Sequence, residues 1–247
     1  MKVTVVGSGD AFGSGGRLQT CYHVAVRDEQ LLIDCGATVL IGMQRLGLDP
    51  DRVSTILISH LHGDHFAGLV WFMLHAHYVT GRTAPLTIAG PAGIARRFAA
   101  AAEALFPKST EIERRFEMNF VEYAERDPLD IGPVRVTPFE VLHPSGAPPY
   151  ALRLECDGKV LSFSGDTKWV ESLIPAANGA DLFITECFGF SEQAGYHMTW
   201  RDIERNIDRL GARRVLLTHM GIDMLANRQH VADPRVMLAE EGMQIAL

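Results

Sequence analysis

The sequence has few cysteines and no CxxC pair. Cys21, Cys35, Cys156 and Cys187 are scattered along the 247 residues. This spacing does not indicate a structural zinc site, and we predict that all four are buried free thiols. A chain of this length can nevertheless bury a large hydrophobic core.

The sequence also lacks any apolar run of the roughly 18 residues that a transmembrane helix requires. The opening residues, MKVTVVGSGD, read directly as a strand and contain no extended apolar targeting region before a small-residue cleavage site. We therefore expect a cytoplasmic protein with no membrane partner.

Positive charge is scarce as well. The net charge is −7, whereas the apolar fraction of 47% and the charged fraction of 21% are ordinary for a globular protein. Binding to extended nucleic acid or to anionic membranes needs a positive field. The charge therefore makes both kinds of partner unlikely for this chain.

No long linker, low-complexity tract or solenoid repeat interrupts the chain, and we predict one domain over residues 1–247. Hairpins come early and strand–helix alternation comes later, an order that suits sheets sandwiched between helices. Asp157-Gly158 is a two-residue turn signal between two further strands. The predicted strands cover residues 2–6, 21–26, 30–34, 53–58, 86–89, 117–123, 134–142, 181–186 and 214–218. The predicted helices cover residues 38–46, 66–77, 91–105, 199–209 and, near the end, 234–241.

Several apolar runs end on a residue that can bind a metal ion. VSTILIS is followed by His60, VRVTPFEVL by His143, KVLSFSG by Asp166 and RRVLLT by His219. Strand ends that converge on one edge of a sandwich bring distant residues into one cleft. One such histidine is ordinary, but this number of them indicates a metal site.

The segment HLHGDH, residues 60–65, concentrates four potential ligands. In extended backbone His60 and His62 point to the same side, and Gly63 is expected to relax the turn. Asp64 and His65 then fall at the start of a helix, on the other side of a small pocket. Imidazole and carboxylate suit Zn²⁺, and also Mn²⁺ or Fe²⁺.

With these downstream residues, HLHGDH resembles the metallo-β-lactamase superfamily. The resemblance implies an α+β fold, an αββα four-layer sandwich of two mixed sheets flanked by helices, with two divalent metal ions at its edge. It implies that one ion is held by His60, His62 and His143. The other would be held by Asp64, His65 and His219, with Asp166 bridging both and Asp64 also counted as catalytic.

Finer likenesses are to the ribonuclease Z-like, or cyclic phosphodiesterase, branch. VVGSGDAFGSGGR resembles the opening loop of that branch, SGDT its bridging-aspartate motif, and GYHMTW its His-x-Thr element. The last of these implies that His197 is a proton donor, placed just before a helix that Thr199 caps. Glu186, at a strand end, is expected either to orient a histidine or to be an ordinary solvated acid. The Gly-rich loop is expected beside the cleft, with Asp10 or backbone N–H groups facing substrate.

The sequence departs from this branch in one respect. Only residues 144–165 separate His143 from Asp166, which leaves no room for the long arm with which ribonuclease Z grips tRNA. We therefore predict hydrolysis of a small phosphodiester or nucleotide by a metal-activated hydroxide. A lactonase or thioesterase with the same ligands, and a non-catalytic metal-stabilised binding protein, remain alternatives. The resemblance also admits a homodimer.

Overall fold

Two seven-stranded sheets pack face to face in the computed structural model, which describes residues 1–192 and 195–247. The first sheet has the strand order β14-β1-β2-β3-β4-β5-β6 and the second β13-β12-β11-β10-β9-β8-β7. Helices cover the outer face of each sheet. The predicted αββα sandwich is confirmed.

The strands and helices follow the chain in this order. The strands are β1 (Lys2–Gly7), β2 (Cys21–Val26), β3 (Glu29–Ile33), β4 (Val53–Leu57), β5 (Leu86–Gly90), β6 (Met118–Glu122), β7 (Leu129–Ile131), β8 (Val134–Glu140), β9 (Tyr150–Cys156), β10 (Lys159–Phe163), β11 (Leu182–Glu186), β12 (Val215–Thr218), β13 (Val236–Leu238) and β14 (Gln244–Ala246). The helices are α1 (Val39–Arg45), α2 (Gly63–Phe66), α3 (Gly68–His75), α4 (Ile94–Leu105), α5 (Leu173–Ala177), α6 (Trp200–Leu210) and α7 (Ile222–Asn227).

The core has three layers. Tyr22, Leu152 and Phe163 belong to the buried cluster between the two sheets. A second cluster lies under α1, α3 and α4, and a third, around Trp200, lies under α5 and α6. Each sheet is therefore apolar on both faces, which explains why its central strands read as nearly continuous hydrophobic runs.

Parallel pairing places strand ends at a common edge. β3, β4, β5 and β6 run parallel in the first sheet, and β10 to β13 do so in the second. Ligands commonly bind outside the carboxyl ends of such strands. His60, Asp166 and His219 all follow strands of these two parallel sets.

Three local predictions are confirmed and one is wrong. Asp157 and Gly158, both with positive φ, make the predicted turn between β9 and β10. Thr199 caps α6 in a reciprocal capping box with Asp202. The segment expected to be a helix near residues 234–241 instead contains the strand β13. Its backbone is determined by pairing with β12 and by the turn that follows β13. The four cysteines are buried and unpaired.

Helix α3 begins in direct contact with the loop after β3. A Cβ atom on Gly68 would lie 2.2 Å from the carbonyl oxygen of Gly36. The Gly68 N–H donates to the carbonyl of Cys35. Glycine at this position therefore lets the segment that carries HLHGDH pack against the end of β3.

Gly63 is different, since its backbone is outside the left-handed region and a Cβ there would have no neighbour closer than 3.9 Å. The prediction that Gly63 relaxes the turn has no support in this geometry.

Gly68→Ala should lower the free energy of unfolding by about 1–3 kcal/mol or more, because backbone must move to admit the methyl group. Chemical denaturation measures the change. Gly63→Ala is the matched control, and it should be neutral or slightly stabilising since alanine favours a helix. Equal destabilisation by both substitutions would contradict the close-approach argument.

Candidate metal centre

The segment HLHGDH spans the junction between β4 and α2. His60 follows the strand after two residues, and His62 is the residue that precedes the first turn of α2. Asp64 and His65 lie within that turn, which is buried at both positions. The four candidate ligands are therefore divided between a strand end and a helix start, as predicted.

Three histidines form one group. His60, His62 and His143 bring ring nitrogens within 4.8 Å of one another. His143 Nε2 lies 3.0 Å from His62 Nδ1. The group joins the end of β4 to the segment after β8.

Four residues form a second group, in which one ligand atom from each of Asp64, His65, Asp166 and His219 lies within 4.8 Å of the others. Asp64 Oδ2 is 3.2 Å from both His65 Nε2 and His219 Nε2. His219 has a positive φ of 54°, and its N–H donates to the carbonyl of Ser8. The strained backbone is thereby held in place.

Asp166 lies between the two groups. Its Oδ2 is 3.3 Å from His65 Nε2 and 3.4 Å from His219 Nε2 in the second group. The same oxygen is 3.7 Å from His60 Nε2 and 3.9 Å from His143 Nε2 in the first. The structure thus brings together all seven residues that the sequence predicted as ligands.

Protonation in the first group suits metal binding. Burial lowers the pKa of His143 to about 4, and it lowers the pKa of His60 well below its usual value. Burial opposes ionisation of Asp166, but the charges of His219 and His65 outweigh it and hold the pKa of that carboxyl well below its usual range. Neutral imidazole and ionised carboxylate are the forms that bind metal ions.

In the second group, protons compete with a metal ion. Burial opposes protonation of His65 and His219, but the charge of Asp166 outweighs it and raises the pKa of both rings. A cation must displace these protons, so metal affinity at this group should fall as the pH falls.

Several buried polar atoms of the cluster have no hydrogen-bond partner in the part of the chain that the structure describes. They include His60 Nε2, His65 Nε2 and Asp166 Oδ1. An unsatisfied buried polar group is costly, and a divalent cation is a partner that suits both nitrogen and carboxylate donors. The residues present therefore fit the metal ions that the motif implies.

Asp34 supports the cluster and was not predicted. Its side chain is fully buried and accepts hydrogen bonds from His65 Nδ1 (2.6 Å), Ser59 N (2.7 Å) and Ser59 Oγ (2.8 Å). Because Asp34 occupies Nδ1, the other nitrogen of His65, Nε2, faces the second group. The available signal was an acid at the end of the apolar run LLI, the pattern that marked the other strand ends.

His197 lies beside the cluster, with its Nδ1 4.0 Å from Asp166 Oδ2. Its Nδ1–H donates to Glu186 Oε1 at 3.0 Å, and its ring stacks on Phe188 with centroids 4.9 Å apart. Burial opposes a charge on this ring, but the hydrogen bond and the charge of Glu186 raise the pKa of His197 to about 9. Glu186 is buried, so of its two predicted roles the structure supports the orienting one.

The cluster opens into a cavity of about 360 Å³. Its lining residues are Ala11, Phe12, His62, Gly63, Asp64, His143, Asp166, Phe188, His197 and His219. The Gly-rich loop therefore lies beside the cleft, as expected. Asp10 does not face it, because its fully buried carboxylate accepts hydrogen bonds from the N–H groups of Phe12 and Ser14 within the loop.

Residues 1–243 of the chain match a known family. The family model described as "Anti-Pycsar protein Apyc1" matches residues 1–243. The chain belongs to the Apyc1 family.

Individual relatives agree with this assignment. The probable metallo-hydrolase YhfI of Bacillus subtilis is 28% identical over 233 residues, which cover 89% of this chain and 87% of YhfI. Its crystal structure superposes with a TM-score of 0.79 over 99% of both chains, at 25% identity. A ribonuclease Z of Methanothermobacter thermautotrophicus is 28% identical over 266 residues, covering 89% of this chain and 86% of the relative. The short form of human tRNase Z has the same fold, with a TM-score of 0.80, 24% identity and coverage of 100% and 99%.

These relatives place the chain in the metallo-β-lactamase superfamily and its ribonuclease Z-like branch, as the motifs predicted. Together with the His/Asp cluster, they make the protein a metal-dependent hydrolase of that superfamily. No helix within residues 1–192 and 195–247 is long and apolar enough to cross a membrane.

Asp34→Asn should weaken metal binding at the second group about 10–100-fold, because the residue that orients a ligating histidine contributes to affinity by that amount. Competition with a chelating dye measures the affinity. Ser59→Ala removes one hydrogen bond to the same carboxylate and the contact to His60 Nδ1 of the first group, but it does not touch His65. Its effect on binding at the second group should therefore be smaller. Unchanged affinity in Asp34→Asn would contradict the orienting role.

Proposed function

We propose that the protein is a phosphodiesterase that hydrolyses a small phosphodiester or nucleotide. The observation that carries this proposal is the Glu186–His197 pair beside the ligand cluster. When hydroxide attacks phosphorus, the P–O bond to one alcohol breaks, and the departing alkoxide needs a proton. The position of His197 beside the cluster and its raised pKa support its role as the donor of that proton. A thiolate leaving group would hardly need an acid.

We propose that His60, His62 and His143 hold one metal ion, that Asp64, His65 and His219 hold the other, and that Asp166 bridges them. The nitrogen and carboxylate donors favour Zn²⁺ over harder ions, with Mn²⁺ or Fe²⁺ as alternatives. Bound at these groups, divalent cations would activate a water molecule for attack on phosphorus and offset charge on the phosphate oxygens. Asp64 retains its second predicted assignment as a catalytic residue, since it also lines the cavity.

His197 is the proposed general acid. With a pKa near 9 it carries its proton at neutral pH. Glu186 occupies Nδ1, so Nε2 is the nitrogen left to donate to the departing oxygen. The stack on Phe188 holds the plane of the ring. His197 also lies within ligand distance of Asp166 and His143, so an assignment as acid requires that its loss leaves the metal content unchanged.

The proposed substrate is small because the cavity is small. A volume of about 360 Å³ lies at the low end of ligand pockets, which span roughly 300–1,000 Å³. The net charge of −7 disfavours an extended nucleic acid. Three further points stay predictions: a single domain over residues 1–247, a cytoplasmic location and a homodimer.

The function is tested with purified protein loaded with zinc or manganese. We expect turnover of phosphodiesters such as bis-nitrophenyl phosphate, weak or no turnover of lactone and thioester panels, and loss of activity on chelation. Preferential turnover of lactones or thioesters would replace the phosphodiesterase with an acyl hydrolase. Chelation that lowers only the melting temperature, with no hydrolysis found, would favour a binding protein.

His197→Ala should lose about 10²–10⁴-fold in rate on a phosphodiester with an alkoxide leaving group. The loss should be much smaller with nitrophenolate, which departs without a proton. Both rates and the bound metal are measured, and the metal content should not change. His230→Ala is the control, because His230 is an exposed histidine outside the lining of the cavity. An equal loss on both substrates, or loss of metal, would count against the acid role.

Glu186→Gln should move the alkaline limb of the pH–rate profile to lower pH. Glu186 raises the pKa of His197, so removal of its charge lowers that pKa, and the acid loses its proton sooner as the pH rises. A charged hydrogen bond is worth about 1.5–3 kcal/mol, which corresponds to a shift of roughly 1–2 pH units. The profile is measured with the alkoxide substrate, and an unmoved limb would contradict the role of Glu186.

A further inference from the structure

His219 is the one proposed metal ligand whose backbone lies in the left-handed region. Its φ is 54°, and none of the other six proposed ligands, all within the described ranges, has a positive φ. This region is unfavourable for a residue with a Cβ atom and is kept only where the surrounding structure holds it. His219 Nε2 lies 3.2 Å from Asp64 Oδ2 and 3.4 Å from Asp166 Oδ2. The contacts that hold the backbone of His219 therefore also direct its ring into the second group.

The carbonyl oxygen of Ser8, in the Gly-rich loop, holds this backbone. It accepts a hydrogen bond from the N–H of His219 at 3.0 Å and a second from the hydroxyl of Thr218 at 3.3 Å. The Thr218 hydroxyl in turn accepts from the buried Tyr22 hydroxyl at 2.5 Å. Both donors to Ser8 come from the end of β12. The position of one carbonyl therefore determines where this end of the strand, with its ligand, lies.

The returning segment of the Gly-rich loop packs closely against Ser8 because a glycine precedes and follows that residue. A Cβ atom on Gly7 would lie 1.9 Å from the carbonyl oxygen of Gln19, and one on Gly9 would lie 2.8 Å from the Cβ of Arg17. Neither glycine has a positive φ, so it is the close approach of the two segments that requires glycine here. This packing brings the side chain of Arg17 to Ser8.

Two side chains of opposite charge hold Ser8 itself. Glu241 Oε1 accepts from Ser8 N at 3.3 Å and from Ser8 Oγ at 3.0 Å. Arg17 Nη1 donates to Ser8 Oγ at 2.9 Å and to the carbonyl of Ala239 at 2.6 Å. The side chain of Arg17 is only 9% exposed, so water is a poor substitute for these partners. Ser8 is therefore fixed both by the loop that contains it and by the C-terminal segment.

We propose that Ser8, Arg17 and Glu241 are positioning residues that hold His219 as a ligand of the second group. The inference rests on the proposed function, because it assumes that this group holds a metal ion. None of these three described residues lines the cavity, so their effect on the metal passes through the backbone of His219. The first residues of the Gly-rich loop thus position a ligand, whereas residues 11–12 line the cleft.

Arg17→Met should weaken metal binding at the second group roughly tenfold or more, because a residue that orients a ligand contributes about 10–100-fold to affinity. Loss of both donors releases Ser8, and the backbone of His219 can then relax. Competition with a chelating dye measures the affinity. The two groups are separated by repeating the titration in proteins that carry His62→Ala, which disables the first group, or His65→Ala, which disables the second. Affinity at the first group should not change, and unchanged affinity at the second would overturn the proposal.

Arg82→Met is the matched control. Arg82 is also buried, at 5% exposure, and it donates to the backbone carbonyls of Asp51, Ala84 and Pro85. The substitution should destabilise the fold to a similar extent without changing metal affinity at either group. Equal losses of affinity in the two arginine variants would overturn the proposal, because a general loss of stability would then explain the effect.

Hydrogen exchange of single backbone amides gives a readout that needs no metal ion. In the metal-free protein, Arg17→Met should speed exchange of the His219 amide, whose acceptor is the carbonyl of Ser8. The Cys187 amide is the reference, because it donates to the carbonyl of Thr218, next to His219 in the chain, and it should exchange as in the wild type. An unchanged rate at His219, or an equal increase at both amides, would count against the positioning role.

Conservative and paired substitutions test whether the effect passes through Ser8. Glu241→Gln, which keeps an acceptor oxygen, should retain most of the affinity that Glu241→Ala loses. Arg17→Met combined with Ser8→Ala should lose less affinity than the product of the two single losses, because both substitutions act on one hydroxyl. Losses that simply multiply would mean that the two residues act independently, which contradicts the proposal.

The failure of the parent function looks different from the failure of this inference. If the wild type binds no metal ion, the proposed function fails. If the wild type binds two ions and hydrolyses a phosphodiester, while the variants match it in affinity and in amide exchange, only the positioning role of Ser8, Arg17 and Glu241 fails.

Discussion

A single buried carboxylate, that of Asp166, lies where four imidazole rings converge. Its oxygen Oδ2 is within 3.9 Å of His60, His65, His143 and His219, and the side chain is almost fully buried. A buried charge is tolerated only when it is compensated by partners of opposite charge. His65 and His219 are the main charged partners of Asp166. The segments after β4, β10 and β12 must therefore meet at one point, and the sandwich of two sheets is the scaffold that makes them do so.

Two other buried carboxylates, those of Asp34 and Glu186, also contact an imidazole ring. Asp34 accepts from Nδ1 of His65, whose other nitrogen faces the cluster. Glu186 accepts from Nδ1 of His197, whose ring lines the open cavity. In both cases the bond to Nδ1 fixes the orientation of the ring and leaves Nε2 on the opposite side. What differs is the exposure of the remaining nitrogen, since His65 is fully buried whereas His197 lines the cavity. This difference agrees with the proposed roles of His65 as a metal ligand and His197 as an acid.

The ligand cluster was largely predictable from sequence because each of its members follows a local signal. A strand end or the segment HLHGDH marks every one of them. The order of hairpins and helices suited sheets sandwiched between helices, and the resemblance to the metallo-β-lactamase superfamily implied the αββα fold. Asp34 was missed because its importance depends on a contact with His65, distant in sequence. The helix expected near residues 234–241 was wrong because β12 offers a pairing edge that no local pattern reveals. Asp10, one of two alternatives expected to face substrate, does not do so. Its carboxylate accepts hydrogen bonds from N–H groups of the same loop, and these contacts are visible only in the folded loop.

The last strand, β14, pairs with the first, Lys2 with Ala246 and Thr4 with Gln244. Just before β14, Glu241 accepts hydrogen bonds from the N–H and hydroxyl groups of Ser8, the residue whose carbonyl receives the N–H of His219. During synthesis β1 is made before any other strand, but it gains this neighbour only after residues 244–246 have been added. A nascent chain stopped before residue 241 would expose an unpaired edge of β1, and the loop beside the cleft would lack its closing contact. The hydrogen bonds that link Ser8 to Glu241, and through Ser8 to the backbone of His219, can therefore form only after residue 241 has been added.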